Sequence, residues 1–171
     1  MRGDESEAAD GPGPPERVEV VDLGPAWDSG APLPFVVASE HTVAVAYWTP
    51  GHDPDSVGVI AFDQVAHHFG HPTEESLHGH RLWGRGLRHY HAHVVHDSGW
   101  LAAAAAVDAV HEYHDPAWWA RVQHYVLTFH DTTFECLAFG SESTELVEPL
   151  SDVVARLARN LADGATSEPW R

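Results

Sequence analysis

The chain predicts an α+β domain: an antiparallel sheet built from hairpins, with helices packed mainly on one face. A small β-barrel with helices is the competing arrangement. Three observations carry the prediction. Runs rich in β-branched and aromatic residues fall in adjacent pairs separated by turn-like sequence. Helical patterning is confined to a few intervening stretches and to the C-terminal end. A length of 171 residues with 43 % hydrophobic content fits one packed domain.

Taken in order, residues 1–16 (MRGDESEAADGPGPPE) are acidic and rich in Pro and Gly, and are expected to be a disordered tail before a single globular domain over 17–164. RVEVVD at 17–22 alternates weakly, as an edge strand does. FVVA at 35–38 and HTVAVAYW at 41–48 read as a hairpin, and VGVIAF at 57–62 as a third strand. Asp63 is placed to cap a short helix over 63–69, which Gly70 and Pro72 end. Thr73 with Glu74 and Glu75 starts another helical turn, and RLWGRGL at 81–87 is turn-rich. A strand follows at 89–96.

The alanine-rich stretch 99–113 is the clearest helix, with Ser98 at its N-cap. Asp115 and Pro116 fit the N-cap and first position of a short helix holding Trp118 and Trp119. Residues 121–129 and 133–139 form a second hairpin about a two-residue turn at Asp131 and Thr132. From 149 to 163, Leu150, Val153, Val154, Leu157 and Leu161 recur at helical spacing. Residues 165–171 are a short C-terminal tail.

Composition excludes several chemistries. All nine basic side chains are arginines, so no lysine exists to form a Schiff base, anchor pyridoxal phosphate or grip a phosphate. A lysine-free, Ala- and Arg-rich chain is the kind a GC-rich bacterial genome encodes. The net charge of −17 repels nucleic-acid backbones. No apolar run is long enough to cross a bilayer. A single cysteine, Cys136, permits no internal disulfide and suits a cytoplasmic protein.

Fifteen histidines are the compositional anomaly, and they direct the search for a site. On the second hairpin, strict alternation puts Tyr125, Leu127, Phe129, Phe134, Cys136 and Ala138 on one apolar face. The other face carries His124, Thr128, His130, Thr133 and Glu135 among Val126, Leu137 and Phe139. Two imidazoles and one carboxylate form a ligand set suited to catalytic Zn or non-haem Fe(II). His111 continues the apolar stripe of the alanine-rich helix, with His114 three residues on. The expectation is therefore a divalent first-row metal, Fe or Zn, held by ligands from His111, His124, His130 and Glu135. His114, Tyr90 and Arg121 would then be the nearby catalytic and substrate-contacting residues.

That constellation predicts a small metal-dependent enzyme, Fe(II) oxygenase-like or Zn hydrolase- or lyase-like, acting on a small molecule. The competing reading is a non-catalytic accessory or interaction domain whose histidines are structural or pH-responsive. Self-association into a homodimer is left open. His89, His91 and His93 would share an exposed, metal-sticky strand face, and His67, His68, His71, His78 and His80 lie in loop-rich sequence. Ser98 lacks the Gly-x-Ser-x-Gly setting of a hydrolase elbow, so it is expected to act as a helix cap. Cys136, on the apolar hairpin face, is expected to be inert.

Overall fold

The structure, a computed structural model, describes residues 15–30, 34–50 and 55–171. The tail expected over 1–16 lies outside the described residues except for its last two. Among the described residues the fold is α+β, with one seven-stranded antiparallel sheet. Its strands are β1 (Arg17–Val21), β2 (Phe35–Ala38), β3 (Thr42–Trp48), β4 (Ser56–Gly70), β5 (Ala92–His96), β6 (Gln123–Thr128) and β7 (Thr133–Val147). They lie in the order β1-β5-β6-β7-β4-β3-β2. Three α-helices accompany the sheet: α1 (Gly99–Asp108), α2 (Pro116–Trp119) and α3 (Leu150–Ala162). None of the described helices is long and apolar enough to cross a membrane.

The apolar hairpin face lies in the main core. Tyr125, Leu127, Phe134, Cys136 and Ala138 pack with Val43, Val45 and Tyr47 of β3, Ile60 and Phe62 of β4, and Trp27. Trp27 locks this cluster, its ring packed at a tilt 4.7 Å from Phe129 and its indole N–H donating to the Thr128 carbonyl at 3.0 Å. Gly58 is required opposite Tyr47, because a Cβ there would collide with the tyrosine ring. A second cluster joins Ala44, Ala46, Val57, Val59 and Ala61 to Leu150, Val153 and Leu157 of α3, the stripe expected from its spacing. Residues 165–171 fold back onto this helix: Trp170 joins the cluster and Asn160 donates to the Pro169 and Arg171 carbonyls. A third, smaller cluster sets Val18, Val95 and Val126 against Leu77 of the 3₁₀ segment Glu74–Gly79 and against Leu82 and Leu87, which flank the 3₁₀ segment Trp83–Arg85.

Five local expectations are corrected. Residues 63–69 are strand, not helix, because β4 continues along β7, pairing His67 with Cys136 and Phe69 with Phe134. Register shifts around Gln64 hide the alternation that would have revealed it. The strand at 89–96 begins only at Ala92, since Tyr90 adopts a left-handed φ of 57° that no strand accommodates. His93 is consequently fully buried, donating from Nδ1 to the Val126 carbonyl and accepting the Arg88 N–H at Nε2, rather than exposed.

The helix expected over 99–113 ends at Asp108, whose carboxylate accepts both His114 Nδ1–H and Trp119 Nε1–H at 2.8 Å and turns the chain back. The β6–β7 connection has four residues, with Phe129 N–H donating to the Thr132 carbonyl at 2.9 Å. Thr128 therefore faces Thr133 and Val126 faces Glu135. This register differs from the expected one by two positions, so every side chain keeps its expected face.

Candidate functional site

Three sheet strands meet a helix start at the most polar point of the interior. β5 runs out at His96, Asp97 takes a left-handed φ of 54°, and Ser98 caps α1 by accepting the Leu101 N–H at 3.1 Å. The Ser98 hydroxyl also lies 2.8 Å from His124 Nδ1. On the far side of that ring, His124 Nε2 is 2.9 Å from Glu135 Oε2. Adjacent register makes this chain: His124 pairs with Val95 on β5 and with Leu137 on β7, one alternation step from Glu135. Ser98 is 5 % exposed and His124 0 %, with the Trp100 ring closing edge-on over the imidazole at 5.1 Å.

Glu135 collects further donors. His80 Nε2 reaches Oε1 at 3.2 Å and Arg81 Nη2 reaches Oε2 at 3.3 Å. Burial works against the charge of Glu135. The hydrogen bonds from His124 and His80 outweigh burial and hold the carboxyl well below the usual carboxylate range, so it is ionised. Arg81 continues to Glu16, whose Oε1 accepts Arg81 Nη1 at 2.6 Å and the Gly99 N–H at 2.9 Å. The polar groups thus form a circuit that leaves the start of α1 at Ser98 and returns to it at Gly99.

Proton positions follow from the partners. An ionised carboxylate only accepts, so both Nε2 atoms facing Glu135 carry hydrogen. When the His124 imidazole is neutral, Nδ1 is then a lone pair to which Ser98 donates its O–H, while the serine oxygen accepts the Leu101 N–H. His80 has the same tautomer, its Nδ1 accepting the Leu82 N–H at 3.3 Å. The arrangement has a hydroxyl aimed at a basic nitrogen and a carboxylate placed to balance the imidazolium that forms on proton uptake.

Two openings reach this network. A cleft of about 350 Å³ is bordered by His68, Arg81, Trp100 and Glu135. A larger groove of about 1240 Å³ runs between α1, the end of β5 and the start of β6 and has Ser98 in its wall.

Of the residues singled out from the sequence, the structure brings His124 and Glu135 together. His130 lies in the β6–β7 turn, near Asp131 Oδ1 at 3.0 Å and Glu74 Oε1 at 3.4 Å, and Tyr90 donates to the same Glu74. His111 lies beyond the end of α1, accepting the Tyr113 N–H, and His114 pairs with Asp108. Arg121 stacks on the Phe139 ring at 5.1 Å. Among the described residues, no group of three His, Cys, Asp or Glu side chains already converges as a metal-binding set. Cys136 is fully buried and burial pushes its thiol pKa up, so the thiolate is suppressed. Sequence reasoning set His80 aside among the loop-rich histidines, missed Arg81, which no periodic pattern marks, and gave Ser98 only its capping role.

No family model matches the chain, and no curated protein or solved structure shows significant similarity to it.

Proposed function

We propose that the chain is a small enzyme that hydrolyses an acyl bond in a small molecule, with Ser98 as nucleophile, His124 as its base and Glu135 as the carboxylate that orients the imidazole. The observation that carries this reading is the unbroken chain from Ser98 Oγ to His124 Nδ1 at 2.8 Å and from His124 Nε2 to Glu135 at 2.9 Å. In the familiar Ser-His-Asp arrangement the hydroxyl meets Nε2 and the acid meets Nδ1. Here the nitrogens are exchanged. The chemistry requires only that hydroxyl and acid occupy opposite nitrogens of one ring.

Ser98 Oγ attacks the acyl carbon while its proton passes to His124 Nδ1. The bond to the leaving group breaks, and that group departs with the proton. Water then adds to the acyl-serine, giving its proton through His124 to Ser98 Oγ as the carboxylic acid leaves. The Gly99 N–H is held by Glu16. The Trp100 N–H, which has no intrahelical acceptor in the first turn of α1, would be the main-chain donor for the developing oxyanion. Turnover of p-nitrophenyl acetate by the full chain tests the reading: a burst of p-nitrophenol, absent in Ser98→Ala and His124→Ala, is expected. A rate equal to that of both variants would exclude it.

A second reading retains a divalent first-row metal, Fe or Zn, on His124 and Glu135, with His80 in place of His111 and His130. It is favoured by two Nε2 atoms directed at one carboxylate. It requires both imidazoles to move their protons to Nδ1, which on His80 faces the Leu82 N–H, and requires Arg81 to withdraw. Elemental analysis of untagged protein, before and after dialysis against a mild chelator, separates the two. About one retained equivalent of metal that Glu135→Ala loses supports the metal centre; metal-free protein with full burst activity supports the serine.

A further inference from the structure

The groove beside Ser98 has no partner within the described chain, and its lining defines what it accepts. Leu101, Ala102 and Ala105 form its α1 wall, and Trp119 and Val122 the wall opposite. No residue of α1 is fully buried: Ala102 is exposed and Ala105 half-buried along the groove. A Leu at Ala105 would narrow the groove; alanine leaves it open, with apolar walls along α1 and Ser98 at one end.

Resting on the acyl-transfer reading above, we infer that the substrate is a neutral ester of a medium-chain carboxylic acid, its acyl chain lying along α1. From Ser98 to Ala105 the helix rises about 10 Å, which suits a chain of medium length rather than an acetyl group. Charge selects the same class. Glu16, Asp97 and Arg85 border the groove; Arg85 is paired with Glu16 at 3.8 Å, which leaves Asp97 and the overall charge of −17 to disfavour an anionic acyl group. The apolar walls offer an uncharged chain the transfer free energy that drives binding, which corresponds to roughly a fourfold gain for each fully buried methylene.

The test is a series of p-nitrophenyl esters from acetate to octanoate with the full chain and with Ala105→Trp, whose indole fills the channel midway. In the wild type, kcat/KM is expected to rise about two- to fourfold per methylene and then level off. In Ala105→Trp, with a native circular dichroism spectrum, the hexanoate-to-acetate ratio is expected to fall about tenfold. A ratio that is flat with chain length, or unchanged in Ala105→Trp, overturns the acyl channel while the p-nitrophenol burst keeps the nucleophile. Loss of the burst for every ester overturns the nucleophile, and the substrate class with it.

Discussion

Glu135 is one side chain answering to two imidazoles and a guanidinium, and its removal separates charge balance from catalysis. In Glu135→Ala, His80, His124 and Arg81 face one another around a vacated carboxylate, at a cost of roughly 3 kcal/mol in urea unfolding. Ser98 carries two roles that two substitutions resolve. Ser98→Ala loses the cap on Leu101 N–H and is expected to be about 1 kcal/mol less stable. Ser98→Asn keeps a capping oxygen and is expected to retain stability. Both are expected to lose turnover. Activity in Ser98→Asn would show that capping is all the residue does. The cap at Ser98 was legible in the residues themselves, but its meeting with His124 was not. HDSGW carries no hydrolase signature, and Ser98 meets His124 only because β5 and β6 pair in one register. His124 and Glu135 were legible, because alternation on a hairpin fixes shared faces even when the turn is misjudged.

At the scale of elements, the contrast is between what local pattern controls and what pairing controls. α3 was readable because five apolar residues at helical spacing leave one stripe to bury. The extension of β4 through 63–69 was not, since Asp63 and the His-rich run favour a helix locally, and only a 15-residue β7 alongside makes strand the better state. α1 presents the opposite case. Its alanines make a helix without demanding a place to pack, and Val107 remains 75 % exposed. Backbone amides of α1 are therefore expected to exchange with solvent at least tenfold faster than those of the central strands β6 and β7, as measured by hydrogen–deuterium exchange. Equal protection would mean that α1 is held by something covering its outer face.

Across the whole molecule, acid sensitivity follows from the buried His93. Burial pushes His93 down to about 4 from an ordinary 6.5, despite the opposing bond to the Val126 carbonyl. The unfolded chain takes up this proton as pH falls through 6.5, whereas the native one resists until about 4. Stability is therefore lost across that window, by about 1.4 kcal/mol per pH unit for one such group. The contribution of Glu135 has the other origin: its carboxyl is depressed, so it stabilises above the unfolded carboxylate pKa and is lost only at lower pH. Urea unfolding between pH 7 and 4 is expected to show a slope that His93→Gln reduces by about one proton. An unchanged slope would place the uptake on other histidines.

The central claim is that the Ser98–His124–Glu135 chain makes one hydroxyl nucleophilic, and a covalent probe reads it directly. Treatment of the full chain with a small alkyl phosphonofluoridate, followed by peptide mass spectrometry, is expected to give one adduct, on Ser98. The same adduct is expected to form at least a hundredfold more slowly in His124→Ala, provided that variant retains a native circular dichroism spectrum. No adduct on Ser98, or one forming equally fast without His124, would contradict the account and leave the serine as a helix cap.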